Sequence, residues 1–270
     1  GSPAEGIKEL ASILALSPSE LLELRLGRHY HYRPLSLPKR DGRTRHILAP
    51  SPALKELQRR LLHRYLDHLP VHPAATAFVS HGSVMLNARR HTGQAIIATA
   101  DIADFFPSTK ADRLRRLFIR LGWRRDALSV LMRLCVYRDG LAQGAPTSPC
   151  LSNLVNFELD EMLTSLAHRS GATYTRYADD LTFSWATDRM PARFQDAVCR
   201  RLLQVGYQIQ PLKGWRVWHI REQPELNGVI IGRDGKLHPP PRILRQIDRL
   251  RRRVRWFGDQ EARAQLQGYE

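Results

Sequence analysis

The sequence is poor in cysteine. Cys135, Cys150 and Cys199 stand far apart, are odd in number and include no Cys-x-x-Cys pair. That excludes a disulfide framework and the usual zinc spacings, and the expectation is a reduced, cytoplasmic protein. Acidic side chains are also scarce. Against 42 Lys and Arg there are 26 Asp and Glu, a formal charge of +16. Such an excess calls for a polyanionic partner, most simply nucleic acid, although an anionic membrane would satisfy charge alone. No apolar run approaches the roughly 20 residues that span a bilayer, there is no signal-peptide pattern, and no internal repeat occurs. At 270 residues the chain can bury a real core, as one large domain or as joined subdomains.

Against this background the few carboxylates are conspicuous by position. Tyr177-Ala178-Asp179-Asp180 lies between two strand-like runs, Ala172–Arg176 and Leu181–Trp185. In the second, Leu181, Phe183 and Trp185 alternate with Thr182 and Ser184, the period of a half-buried strand. The Asp pair reads as a hairpin tip, where Asp is common for local reasons. A second acidic strand end changes its meaning. The apolar run Ala95–Ala100 ends on Asp101 and continues Ile102-Ala103-Asp104-Phe105-Phe106. Two strands that bring carboxylates to one place make a site for hard divalent cations, and paired ions can clamp both oxygens of a phosphoryl transfer.

Three boxes in order carry a resemblance. Asp101–Phe106 matches DIxxFF, Gln143–Asn153 matches QGAPTSPxLSN, and Tyr177–Asp180 matches YxDD. The chain resembles the reverse transcriptases of bacterial retrons and group II introns, from about Leu10 to Phe257. The resemblance implies an α/β right-hand polymerase. Its N-terminal helical segment would be 1–30, its fingers 31–94 and 108–142, its palm of antiparallel sheet and helices 95–107 and 143–225, and its primer grip and small helical thumb 226–270. Asp101, Asp179 and Asp180 would hold two Mg2+, for which Mn2+ can substitute, with the Ile102 carbonyl on the second ion. Phe106 would lie beneath the incoming sugar and exclude a ribose 2′-hydroxyl.

The remaining elements are read in chain order. Ile7–Leu26 is predicted helical, with Ser17 and Glu20 as a capping box that starts a second helix. Tyr32–Pro50 reads as a hairpin turning at Asp41-Gly42, with Lys39 and Arg45 on opposite arms. By resemblance these two grip a triphosphate, whereas the residues alone favour a solvated basic hairpin. Ser51–Leu69 is predicted to be one basic amphipathic helix. Asn87-Ala88-Arg89-Arg90-His91 resembles an NAxxH box of retron-type enzymes. Here Asn87 and His91, one helical turn apart, are expected to brace the first acidic strand. Ser108 is expected to cap a helix to Leu121, stopped by Gly122. Gln143 and Gly144 are expected at the nucleotide, glycine allowing close approach of a base pair. One long helix should follow from Thr147-Ser148-Pro149, and another should span Ala192–Val205. Lys213 would lie near the leaving pyrophosphate, though the usual Asn-x-x-Lys is absent. Trp215–Gly232 reads as a primer-grip hairpin. Leu226-Asn227-Gly228 stands where retron enzymes have Val-Thr-Gly. Pro241–Gly258 is an arginine-rich helix with Ile243, Ile247, Leu250, Val254 and Phe257 in one stripe. Its Arg242, Arg245, Arg249 and Arg252 are expected on duplex phosphates.

The function implied is RNA-directed DNA synthesis, retron-type and in phage defence. The partners implied are an RNA template, a DNA or RNA primer and dNTPs, with a dedicated non-coding RNA and a separate effector protein, and no membrane. Rival readings are a non-retron defence-associated enzyme working without a template, a CRISPR-associated reverse transcriptase, and a catalytically silent nucleic-acid-binding module.

Overall fold

The computed structural model describes residues 3–26, 31–38, 44–80 and 82–267. Helices α1 (Pro3–Leu14) and α2 (Pro18–Leu26) form the N-terminal segment, the second starting just after Ser17 as its capping box predicts. The break falls at Ala15, whose φ of 51° is left-handed. The capping box forms: the Ser17 N–H donates to Glu20 Oε2 at 2.7 Å and the Glu20 N–H to Ser17 Oγ at 3.2 Å. Strands β1 (Tyr32–Pro38) and β2 (Thr44–Pro50) pair antiparallel, with Pro38 opposite Thr44. Lys39 and the Asp41-Gly42 tip lie outside the described residues, as does the Arg45 side chain. Helix α3 (Pro52–Arg64) ends sooner than predicted. The chain turns at Tyr65 so that Leu66 can enter the core already lined by Leu54, Leu57 and Leu61.

Helix α4 (Val84–Arg89) leads to β3 (Ile96–Asp101), then α5 (Phe105–Ser108), α6 (Ala111–Arg120) and α7 (Arg125–Cys135). Ser108 does not cap a helix to Leu121. It closes α5, its hydroxyl donating to the Ala103 carbonyl at 3.2 Å, and Lys110 is extended where it bridges Gly140. The expected long helix is two, α8 (Ser148–Val155) and α9 (Phe157–Arg169). At the junction the Asn156 amide donates to the Ser152 carbonyl at 2.8 Å and to the Tyr207 hydroxyl at 3.0 Å. An asparagine that bonds its own backbone in this way competes with the helix.

Strands β4 (Ala172–Tyr177) and β5 (Asp180–Trp185) precede α10 (Phe194–Gln204) and β6 (Trp215–His219). The main sheet runs β4-β5-β3-β6, all antiparallel. The predicted primer-grip hairpin is therefore divided. Its first part is an edge strand of this sheet, and its second enters a small sheet of β7 (Glu225–Leu226), β8 (Val229–Ile231) and β9 (Leu237–His238). Helices α11 (Pro241–Phe257) and α12 (Gln260–Gln267) follow, packed on each other. Among the described residues no helix is long and apolar enough to cross a membrane.

The two faces of the main sheet differ in chemistry. One presents Ile96, Ala98, Leu181, Phe183, Trp185 and Tyr174 to an apolar core shared with α9 and α10. The other carries Thr99, Thr182, Ser184 and Thr175, all buried, so β5 is covered on both sides and not half-exposed as its alternation suggested. A neutral histidine makes that possible. Burial pushes the His91 imidazole down to about 3, and its ring nitrogens lie 2.7 Å from Ser184 Oγ and 2.7 Å from Thr175 Oγ1. His91 therefore braces β4 and β5, not the first acidic strand.

Candidate active site

The polar face ends in carboxylates. Asp101 is the last residue of β3 and Asp180 the first of β5, and the register sets them directly opposite each other. Like charges facing across two strands destabilise a sheet. Nearby groups hold the pair. Lys213 Nζ lies 2.8 Å from Asp101 Oδ1 and Arg216, from β6, 3.5 Å from Oδ2. The Asn227 amide donates to Asp180 Oδ2 at 2.5 Å.

The two carboxyls respond in opposite directions. Asp180 is pushed up to about 8, chiefly by burial, then by its contact with Asp101 and the charge of Asp179. Asp101 is held below its ordinary value, because the hydrogen bond from Asp180 and the Lys213 and Arg216 cations outweigh its burial. In the metal-free chain the dyad thus keeps one proton, on Asp180. The unfolded Asp180 carboxyl loses that proton near its ordinary 3.8. Its stabilising contribution is complete below that value and fades as pH rises toward 8. In chelator, unfolding free energy should therefore fall between pH 5 and 8 by up to about 1.4 kcal/mol per pH unit. Asp180→Asn should flatten that component, and identical pH profiles for the two proteins would show that no proton is shared.

The turn between the strands is tight. Ala178 and Asp179 alone separate Tyr177 from its partner Asp180. Ala178 takes φ 58°, which costs an L-residue of order 1 kcal/mol. Its carbonyl accepts from Arg176 Nη1 at 3.1 Å. Arg176 is itself locked, fully buried, by Asp160 of α9, with Nε to Oδ1 at 2.9 Å and Nη2 to Oδ2 at 2.6 Å. The Asp179 carbonyl accepts from the Ile102 N–H at 2.9 Å, tying the turn to the end of β3.

Of the residues singled out from sequence, Asp101, Asp180, Asp179, Ile102 and Lys213 come together here. The backbone at Gln143 and Gly144 packs closely against β2. The Gln143 carbonyl accepts from the Leu48 N–H at 2.8 Å, and a Cβ on Gly144 would stand 2.6 Å from the Leu48 carbonyl oxygen. The glycine, at φ 127°, is needed for packing on β2. Phe105 is buried, whereas Phe106 is only half-buried beside Phe78. Asp104, at φ 43°, starts α5 and accepts from the Ser108 N–H. On α11 the four predicted arginines part company. Arg242 pairs with Glu225 and lies with Arg245, Arg249 and Arg253 around one recess, while Arg252 lines another with Arg251, Arg255 and the exposed Trp256. Arg216 and Asn227 were not anticipated. The Asn-Gly pair signals a turn in sequence, but nothing there tells which strand end it faces.

Among the described residues no three His, Cys, Asp or Glu side chains form a ready-made metal cage. The donor set nevertheless suits a hard divalent ion. Two facing carboxylates that need a proton and two cations to coexist offer charge such an ion would neutralise, and magnesium takes only one or two carboxylates beside water and phosphate oxygens.

A profile of the family described as "Reverse transcriptase (RNA-dependent DNA polymerase)" matches residues 37–223. The retron Mx162 reverse transcriptase of Myxococcus xanthus is 35% identical over 277 aligned positions, covering 91% of this chain and 57% of that protein. The retron Mx65 reverse transcriptase of the same organism is 40% identical over 197 positions, 66% of this chain and 46% of that protein. The retron Ec86 reverse transcriptase of Escherichia coli is 35% identical over 207 positions, 76% and 64%. The chain thus spans about half to two thirds of the length of these relatives. The family profile covers both strand ends of the carboxylate dyad and the turn that joins β4 to β5, and on that match the chain belongs to the reverse transcriptase family.

Proposed function

We propose that the chain is an RNA-directed DNA polymerase of the retron kind, adding dNTPs to a primer 3′-hydroxyl. The observation that carries this reading is the Asp101–Asp180 pair, set face to face at two strand ends beside Lys213 and Arg216. Asp101, Asp179 and Asp180, with the Ile102 carbonyl, are the proposed holders of two Mg2+. Bound there, the ions would lower the pKa of the primer hydroxyl and neutralise charge on the phosphates. The chain's own residues position the rest. Lys39 and Arg45, at the far end of the β1–β2 hairpin in sequence, are proposed to hold the triphosphate by charge-assisted hydrogen bonds. Lys213 is proposed for the pyrophosphate, as a cation already resident at the dyad. The arginines of α11 would follow phosphates of the template–primer duplex.

In this reading the β1–β2 hairpin with α6 and α7 serves as fingers, the main sheet with α8 to α10 as palm, and α11 with α12 as a short thumb. An RNA template and a dedicated structured RNA are proposed from the resemblance to retron enzymes. A role in defence, with a separate effector, is the biological setting we favour.

The test is primer extension by the purified chain with Mg2+ and dNTPs on an RNA template. Full-length DNA is expected, and binding of template–primer with no product would leave only a nucleic-acid-binding module. The same assay addresses Phe106, whose half-buried ring is proposed to block a ribose 2′-hydroxyl. Phe106→Ala is expected to raise ribonucleotide use relative to dNTPs by roughly tenfold or more, equivalent to about 1.4 kcal/mol of discrimination. Unchanged selectivity would assign the ring to the core alone.

A further inference from the structure

The β7–β8 connection is a two-residue Asn-Gly turn. Leu226 pairs with Val229, and both central residues are left-handed, Asn227 at φ 49° and Gly228 at φ 92°. This is the geometry of a tight hairpin turn that Asn-Gly favours. Leu226, Val229 and Ile231 are buried with Ala88 of α4 and Ile97 of β3, so the turn is anchored against the polar face of the main sheet.

From there a relay of hydrogen bonds runs to the dyad. Thr76 Oγ1 donates to Asn87 Oδ1 at 3.0 Å. Asn87 Nδ2 donates to Asn227 Oδ1 at 2.9 Å. Asn227 Nδ2 donates to Asp180 Oδ2 at 2.5 Å. Each amide accepts on one side and donates on the other. Asn87 is fully buried and spends its amide entirely in this relay.

We propose that Asn227 is a positioning residue for Asp180. Backed by Asn87 and Thr76, it fixes the rotation of that carboxylate so that it presents one geometry to a divalent cation. The small β7–β9 sheet would then set the metal site as well as contribute packing. The proposal rests on the polymerase reading, in which Asp180 is a metal ligand. Outer hydrogen-bond partners of metal ligands act in this way, and their loss commonly weakens metal binding about 10- to 100-fold.

Asn227→Gly is the informative variant, because glycine accepts the left-handed turn without strain and removes only the amide. Asn87→Leu breaks the relay one step further back. Titration of the nucleic-acid-free chain with Mn2+ by calorimetry is expected to show roughly tenfold or greater weakening in Asn227→Gly. In primer extension kcat should fall by a similar factor, with KM for dNTP within about threefold of wild type. Asn87→Leu should give a smaller change in the same direction. A purely structural role predicts a lower Tm with unchanged Mn2+ affinity and unchanged kcat in the molecules that remain folded, and that result would overturn the proposal. Wild-type extension together with wild-type behaviour of Asn227→Gly refutes the relay alone. A wild-type chain that binds Mn2+ in an Asn227-dependent way yet extends no primer refutes the polymerase reading alone.

Discussion

Asp180→Asn is expected to abolish primer extension while leaving RNA binding and folding intact. Metal-supplied stabilisation of a phosphoryl transition state amounts to several kcal/mol. Each ~1.4 kcal/mol is tenfold in rate, so the loss should be about a thousandfold or more. The substitution keeps size and removes charge at the residue set directly opposite Asp101. It also removes the carboxyl that has to retain a proton, so at pH 8 the metal-free variant should be at least as stable as wild type. Unfolding curves beside the kinetics separate a chemical loss from a folding loss. Extension within tenfold of wild type would refute the assignment of Asp180 to the metal. Asp101→Asn should fail equally, with a different stability signature, since it strips Lys213 and Arg216 of their counter-charge.

The second large effect is on stability. Asp160→Ala would leave the Arg176 guanidinium fully buried without its bidentate partner, and would also remove the acceptor of the Tyr174 hydroxyl, 2.9 Å away. Breaking one side of a buried pair typically costs about 3–5 kcal/mol, a large part of the roughly 5–15 kcal/mol that holds a protein folded. Urea unfolding should show it as a lower midpoint. Replacing both partners, Asp160→Leu with Arg176→Met, should recover much of the loss, because no charge is then stranded. It should not recover activity, since the Arg176 contact to the Ala178 carbonyl is gone and the strained turn loses its support. Full activity in a stable double variant would show that the turn between Tyr177 and Asp180 holds its shape unaided.

Much of this was legible along the chain because it is local. The capping box at Ser17, the strand–turn–strand around Ala178-Asp179 and the glycine stop after Leu121 depend on residues a few positions apart. Periodicity misled where a polar side chain found a partner far off in sequence. Thr182 and Ser184 alternate like solvent-facing residues, yet they are buried on a face where His91 bonds Ser184 and Thr175. The helix expected through Asn156 breaks because its amide reaches Tyr207, 51 positions away.

The same division holds at the site. By itself the sequence determined that carboxylates stand at two strand ends within recognisable boxes, that the chain is strongly basic, and that a tight turn lies at Ala178-Asp179-Asp180, the last of which the structure places in β5. Only the tertiary structure decided what surrounds them. The β3–β5 register placed Asp101 against Asp180, the edge position of β6 brought up Arg216 and Lys213, and a hairpin 47 positions downstream supplied Asn227. Strand pairing and sheet packing join residues without regard to their separation in the chain, so the identity of a ligand can be read locally, whereas the charge, proton and hydrogen bonds that tune it are properties of the assembled sheet.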